Sequence, residues 1–366
     1  MAVTADTPHS VVHAGRRWPV VDGIPFLRAG REELAREALA ALDAGDRVAA
    51  LALLLADQDD WWDGDAAPEA DLRALARDPQ TVTLREAMEA LRWARVADYF
   101  AHRWSDPTFL AGLALTRAHW MAPRSAFELA CGIGHHLREL SLRGVAVSGG
   151  DVVFAKLWLA RHFVCPEARL ACFDAAHPWP VADRHDLVLC HDAFYFLEPK
   201  QAVLARLRGL RGGGRGLLLI SHIHNADRPG FSAGHAISRA RLAGLFPAVL
   251  AYADEELTRA LAEGRAPLPG RLDGTEAFAV AEGPGLGAPQ SLADGVVLPP
   301  PGAALRRNPL YAEGGARRFP SERYASEYGA RVTYPAVSDA PARAVLDAST
   351  AHWALRRELL HLPERW

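Results

Sequence analysis

The chain predicts an α/β protein whose mostly parallel sheet is flanked by helices, and three features predict it. From Ser125 onward, short aliphatic runs alternate with helical segments at roughly twenty-residue intervals. A glycine-rich turn containing Gly132 and Gly134 follows the first of those runs, and Asp151 and Asp174 end the second and third. Strands separated by helices pair in parallel through right-handed crossovers, which places all their carboxyl ends, and any ligand, along one edge of the sheet.

The strands read as 125–130, 145–151, 168–174, 186–192 and 216–222, with helices near 134–143, 152–164 and 199–209. After residue 236 follow a helix (ISRARLAGLF), a strand (AVLAYAD), a second helix (EELTRALAEG) and a β-like run over 277–283. The last two strands bring the count to seven and the class to a Rossmann-like, mostly parallel seven-stranded sheet. Ahead of it, RWPVVDGIPFLR at 17–28 is a small β element, with REELAREALAAL and DRVAALALLLADQ as a helical hairpin broken at Gly45. The run DQDDWWDGD reads as a loop. Thr83 and Glu86 form a capping box for a helix that carries Leu84, Met88, Leu91 and Tyr99 near one face. Asp106 before Pro107 marks another helix start. Beyond residue 284 proline and glycine dominate, with one helix in STAHWALRRELLHL, so a tail draped over the domain is expected. The expected divisions are a small β segment at 1–30, a helical region at 31–94, the sheet domain at 95–285 and the tail at 286–366.

With 50% hydrophobic and 23% charged residues the composition is that of a folded globular chain. A net charge of −3 gives no electrostatic footprint for a polyanion, which disfavours nucleic acid as a partner. Cys131, Cys165, Cys172 and Cys190 form no C-x-x-C pair and read as reduced core thiols, so no metal is expected. The start lacks a basic segment followed by an apolar run, and the longest apolar stretch, ALALLLA at 50–56, cannot span a bilayer. A cytoplasmic protein without a membrane partner is expected, and a homodimer is left open.

The chemistry begins at ELACGIG, 128–134. Gly132 and Gly134 let the backbone turn and approach a ligand, and the helix that follows directs free N–H groups at negative charge. A strand-to-helix turn needing flexible residues explains the same pattern. Asp151 lies 23 positions after Glu128, where a carboxylate can accept both hydroxyls of a ribose; Asp174 lies 23 further on, where it can accept from an adenine amino group, with Phe173 beside the ring. One such acid is ordinarily a helix N-cap, but three at successive strand ends fit a ligand. His191 and Asp192 close the fourth strand ahead of Phe194, Tyr195 and Phe196.

In order and spacing, ELACGIGHHLREL, GVAVSGGDVVFAKLWLAR, ACFDAAHPWP, HDLVLCHDAFYFL and LRGLRGGGRGLLLI resemble the successive motifs of class I S-adenosylmethionine-dependent methyltransferases. Ala130 replaces the first glycine of that family's pattern. The resemblance implies S-adenosylmethionine as cofactor, with Glu128, Ala130, Cys131, Gly132 and Gly134 around its methionine part. It implies Asp151 and Val152 at the ribose, Phe173, Asp174 and Ala175 at the adenine, and His191 nearby. RWPVVDGIPFLR resembles the end of the small activator domain of tRNA and protein methyltransferases, without its zinc-binding cysteines. ISHIHNADRPGFSAGHAIS, NPLY and FPSERYASEYG resemble a bacterial subgroup of small-molecule or polysaccharide-associated methyltransferases.

A sulfonium methyl is already activated, so the protein has to align an acceptor, exclude water and remove a proton where the acceptor is a hydroxyl. Histidine suits that proton near neutral pH. The order of candidates is His224, His222, His191, with His135 and His136 as rivals and capping or packing roles open for each. Tyr99 and Arg103 are placed to act as a lid and Tyr195 to meet the acceptor, or these aromatic groups pack helix on sheet. His224–His235 reads as a loop over the acceptor pocket. A nicotinamide dehydrogenase would need a third glycine where Leu137 stands. A non-catalytic scaffold that keeps the fold is the other alternative, and the activator-like segment keeps tRNA or protein in view. A small hydroxylated or glycosidic acceptor, O- or N-methylated, is the expectation.

Overall fold

The structure is a computed structural model that describes residues 3–228, 234–294 and 299–366. Its first element is a four-stranded antiparallel sheet, β1 (Thr4–Thr7), β2 (Ser10–His13), β3 (Arg16–Val21) and β4 (Ile24–Pro25), in sequence order. Beyond β4 the extended chain continues onto the main sheet: Phe26 bridges Cys172 and the Leu27 amide donates to the Cys172 carbonyl at 2.7 Å. That contact covers an edge strand that would otherwise expose its unpaired backbone groups.

Six helices follow: α1 (Glu32–Asp43), α2 (Arg47–Ala56), α3 (Glu69–Arg77), α4 (Leu84–Ala90), α5 (Ala94–His102) and α6 (Pro107–Ala118). Gly45, at φ +81°, closes α1 in the left-handed conformation that glycine adopts without strain. The Thr83–Glu86 capping box opens α4. One expectation needs correction here: α4 does not run on to Tyr99. Arg92 turns to φ +59° and breaks the helix, so Tyr99 belongs to α5, which approaches the sheet from another direction. A single 3₁₀ turn, Arg103–Ser105, joins α5 to α6, whose N-cap Asp106 accepts from the Phe109 amide at 2.7 Å.

The main sheet contains β5 (Ser125–Leu129), β6 (Ala146–Asp151), β7 (Arg169–Cys172), β8 (Leu187–His191), β9 (Leu217–His224), β10 (Leu250–Ala253) and β11 (Ala277–Glu282). The interleaved helices are α7 (His135–Ser141), α8 (Phe154–Leu159, continued by a π turn), α9 (Lys200–Gly209), α10 (Arg239–Leu245) and α11 (Asp254–Glu263). Strand order is β10-β11-β9-β8-β5-β6-β7; β7, β6, β5, β8 and β9 pair in parallel, and β11 alone is reversed, antiparallel to both β9 and β10, so β10 runs in the common direction. This is the Rossmann-like seven-stranded mixed sheet that the strand and helix alternation predicts. Where β11 pairs with β9 the register slips by one residue between Phe278 and Val280, leaving an extra residue on β9 between Ile220 and Ile223. The bulge puts His222 at φ +57°, and bulges re-aim side chains in this way.

The C-terminal segment has more structure than a draped tail. β12 (Ala304–Arg307), β13 (Arg343–Val345) and β14 (Leu359–Leu360) form a third sheet, with α12 (Glu322–Tyr328) and α13 (Ala351–Leu355) between them. The helix expected over STAHWALRRELLHL stops after Leu355, because Arg357 turns to φ +61° and Leu359 and Leu360 pair with β12. Leu305, Ala340, Leu346, Ala354 and Leu359 make a small second cluster. Every other segment shares one core, which runs from Ile24 and Leu51 through Trp93 and Phe127 to Tyr328. Among the described residues no helix is long and apolar enough to cross a membrane, and the four cysteines are free and buried.

Close packing of α7 on β6 depends on Gly149, where an added Cβ would lie 2.7 Å from Leu137 and 2.8 Å from the Cys131 sulfur. Gly149→Ala should therefore cost about 1–3 kcal/mol in denaturant unfolding, the usual range for overpacking. Gly213→Ala, with nothing within 4 Å, should stay within about 0.5 kcal/mol of the parent.

Candidate active site

Because β5 to β9 run parallel, the chain leaves each of them on the same edge of the sheet. After β5 the backbone bends three times, with Ala130, Gly132 and Gly134 at φ +54°, +55° and +85°. Ala130 thus takes the conformation of the glycine it replaces, at a steric cost of about 1–2 kcal/mol. Cys131 is buried between this turn and Gly149. The Gly132 amide donates to Asp151 Oδ2 and the Val153 amide to Oδ1, both at 3.0 Å, so the carboxylate at the end of β6 is held upright beside the turn. Val152, next to it, is partly exposed.

Glu128 is 2% exposed and its Oε2 has no hydrogen-bond partner. Burial drives its pKa well up, against the pull of Arg103. An unpartnered carboxylate oxygen in a low-dielectric site is costly, and an ammonium group is the ligand chemistry that would satisfy it. Lys156 Nζ lies 3.7 Å from Asp151 and 3.4 Å from Asp59, which stands in the loop between α2 and α3. The helical region therefore reaches over the rim beside Asp151.

Beyond β7, Asp174 is part-exposed and caps its own turn, accepting from the Ala176 amide at 2.8 Å. The Phe173 ring is buried and fills the space above Gly150, where an added Cβ would lie 2.3 Å from it. Trp179 packs on Phe173 at 5.7 Å and donates to the Ala175 carbonyl at 2.9 Å. Phe173 is thus the base of this wall and is not one of its open faces.

The other half of the rim centres on Asp192, just past β8 at φ +52°. Its Oδ2 receives Tyr99 Oη at 2.8 Å and Arg103 at 2.9 Å, and its Oδ1 receives Tyr195 Oη at 3.0 Å. Burial would raise its pKa, but Arg103 first, then His222 and the Tyr99 hydroxyl, hold it down at about 2. Arg103 also pairs with the fully buried Asp106 at 3.0 Å.

On the β9 bulge, His222 Nδ1 meets Asp254 Oδ2 at 2.6 Å, and its Nε2 faces Asp192 Oδ1 at 3.8 Å. Burial alone would lower its pKa; Asp192 and Asp254 together outweigh that and raise it above the ordinary histidine value. His224 stacks face to face on Tyr195 at 3.8 Å, and burial together with the nearby His222 lowers its pKa to about 4. The donor atoms of Asp192, His222 and His224 lie within 4.8 Å of one another, the spacing of a chelate. Arg103 already brings a positive charge to that carboxylate and Asp254 fixes the imidazole, an arrangement suited to proton transfer.

The remaining histidines point elsewhere. His191 donates to or accepts from Ser221 at 2.8 Å, packs on His136 at 4.4 Å and is lowered by burial to about 3. It packs as a buried group with Nε2 unpartnered, which does not favour its place among the expected bases. His135 is wedged between Phe100 and Trp104, with Nε2 3.0 Å from the Phe100 carbonyl. Burial holds His135 and His136 neutral. Of the loop expected over His224–His235, residues 229–233 lie outside the described residues. At its far end His235 lies 6.3 Å from Trp61, which also packs on Phe196 at 5.4 Å and is 55% exposed. Sequence reasoning passed over Asp254, Lys156 and Asp59. Asp254 was the findable one, an acid at a strand end like Asp151; the other two depend on packing across the chain.

Residues 127–218 match the family model described as methyltransferase domain. No curated protein matches the chain. Among solved structures, a TehB-like S-adenosylmethionine-dependent methyltransferase from Corynebacterium glutamicum is 20% identical, over 47% of this chain and 85% of that one, with a TM-score of 0.36. An amino pentose methyltransferase from Micromonospora echinaspora is 19% identical, over 50% and 93%, at 0.37. The 1,6-didemethyltoxoflavin-N1-methyltransferase of Burkholderia thailandensis is 19% identical, over 57% and 91%, at 0.37. Nothing in these comparisons supports the likeness of the N-terminal segment to an activator domain.

The Asp254–His222 contact makes a titration prediction. In the folded protein His222 should titrate above its ordinary value of about 6.5, and Asp254→Asn should bring that midpoint down, as read by NMR of the imidazole. A raised folded-state pKa stabilises fully below the unfolded value and is lost as pH rises through the folded one. The parent's advantage in unfolding free energy over Asp254→Asn should shrink over that alkaline interval.

Proposed function

We propose, from the match of residues 127–218 to the methyltransferase-domain model, that this protein is a class I S-adenosylmethionine-dependent methyltransferase and methylates an O–H or N–H group of a small, hydroxylated or glycosidic acceptor. Bound S-adenosylmethionine supplies an activated methyl group. The residues present fit it: Glu128 Oε2 offers an unpartnered acceptor for the α-ammonium, Asp151 for the ribose hydroxyls, and Asp174 and Ala175 for the adenine edge. The backbone from Ala130 to Gly134 runs beside the amino-acid arm.

The observation that carries the reading is the pairing of Asp192, just past β8 beside the glycine-turn strand β5, with a β9 imidazole held by Asp254 at the end of β10. An acceptor hydroxyl donating to His222 Nε2 would be deprotonated by it, while a second O–H or N–H of the same acceptor donates to Asp192 Oδ1 and orients the molecule. Tyr99, Arg103 and Tyr195 fix Asp192 as an anion, so it receives a hydrogen bond and leaves the proton to His222. His224, expected as the first candidate base, serves in this reading as a wall with Tyr195. Trp61, exposed at the mouth, suits a ring-shaped acceptor.

Calorimetry with S-adenosylhomocysteine and with NAD tests the cofactor. Binding of the first alone is expected, with Asp151→Ala weakening it at least about tenfold. Heat with NAD alone, or with neither, would defeat the proposal. With an acceptor found by screening hydroxylated compounds, His222→Gln should lower kcat about 10²–10⁴-fold. The acid limb of the parent profile should lie above pH 6.5, since the base works deprotonated.

A further inference from the structure

Two sequence motifs, NPLY and FPSERYASEYG, lie far from the main sheet in sequence and have no part in the chemistry above. Their placement answers a physical problem at Arg103. That residue starts the 3₁₀ turn of 103–105, and its guanidinium pairs with both buried carboxylates, Asp106 and Asp192. A turn of three residues carries little hydrogen bonding of its own. The contacts that hold it come from the C-terminal segment. Ser105 Oγ donates to Asn308 Oδ1 at 2.9 Å, Tyr334 Oη donates to the Ser105 carbonyl at 2.7 Å, and Arg357 donates to the Trp104 carbonyl. Trp366 adds a bond from its indole N–H to the Ala101 carbonyl at 2.8 Å, at the end of α5.

Asn308 is fully buried and every polar group on it is used. Its Oδ1 also receives the Leu310 amide at 3.0 Å, its Nδ2 donates to the Arg357 carbonyl at 2.8 Å, and its own amide donates to the Glu358 carbonyl at 2.9 Å. It ties β12, the turn before β14 and the 103–105 turn into one unit. From α12, Tyr324 and Tyr328 pack beside this unit, with Tyr324 edge-on to His102 at 6.1 Å.

We propose that Asn308 and Tyr334 are positioning residues for the acceptor half of the site: they clamp the 103–105 turn so that Arg103 reaches Asp192 and sets the charge that His222 faces. Its bearing on methyl transfer rests on the reading of His222 given above. Arg103 pairs with Asp192 Oδ2 and His222 faces Oδ1 of the same carboxylate, so drawing Arg103 back leaves the carboxylate less compensated and holds the His222 proton more tightly. Asp254 and His224 also face the imidazole, and Arg331 sets an opposing positive charge near it from the C-terminal segment; through the clamp that segment tunes, in addition, an imidazole that none of the clamp contacts touches.

The test uses the full-length protein and three conservative variants, with NMR titration of His222 as readout and S-adenosylhomocysteine as the calorimetric probe. Tyr334→Phe and Ser105→Ala each delete one clamp bond. Trp353→Phe is the control, since it deletes a bond of similar length within the same segment but outside the clamp, indole N–H to Asp339 Oδ1 at 2.9 Å. The clamp variants should raise the His222 midpoint by about half a pH unit or more, with affinity for the probe within about twofold of the parent. Trp353→Phe should leave the midpoint in place, whatever it does to thermal stability. An unchanged midpoint in both clamp variants, or an equal shift in the control, overturns the proposal. Should Tyr334→Phe fail to fold, Ser105→Ala decides it alone. Absence of probe binding in the parent would count against the methyltransferase reading and leave the titration comparison intact.

Discussion

One guanidinium stands between two carboxylates that water scarcely reaches. Asp106 and Asp192 would each be expensive to ionise in the interior, and Arg103 makes both tolerable at once. The arrangement stands only if three pieces of chain with different partners meet at one point: the end of β8, the N-terminus of α6 and the turn joining α5 to α6. A displacement of an ångström would strand a charge. Much of what lies outside the seven strands can be understood as the scaffolding that this meeting demands.

The C-terminal segment supplies part of that scaffolding and the N-terminal one supplies the rest of the enclosure. Phe26 and Leu27 cover the β7 edge, and the loop after α2 brings Asp59 to Lys156 and Trp61 to Phe196 and His235. These contacts bridge elements remote in sequence and share one continuous core with the sheet. Both extensions therefore act on the rim of the sheet, the N-terminal one beside Asp151 and the C-terminal one behind Asp192.

The proposed cofactor half was legible in the sequence because its determinants are local. Gly132 and Gly134, with Asp151 and Asp174 at intervals of 23, follow from strand, turn and helix lengths that repeat along the chain. Even the departure at Ala130 could be read, since the residue simply adopts the bend its position requires. The acceptor half was readable only as a list of histidines. Nothing in SHIH says which imidazole faces the site, because that is decided by the one-residue slip against β11, and its partner Asp254 lies 32 positions away. Period-two alternation is silent about a bulge. The tail was misjudged for a similar reason: its Pro- and Gly-rich composition says nothing of Asn308 or Tyr334, whose roles exist only once residues some two hundred positions earlier are in place.

That difference matches what each half has to do. A nucleoside with an amino-acid arm presents fixed chemistry, and it can be met by groups whose spacing a βα repeat already dictates. An acceptor varies, so its side of the site has to be assembled from parts that can change without disturbing the sheet. Loops after β8 and β9, a turn between helices and the segment beyond β11 are such parts. The buried charge at Arg103 limits that freedom. Any substitution that alters how the acceptor is seated has to preserve the meeting of Asp106, Asp192 and their shared cation, or replace all three together.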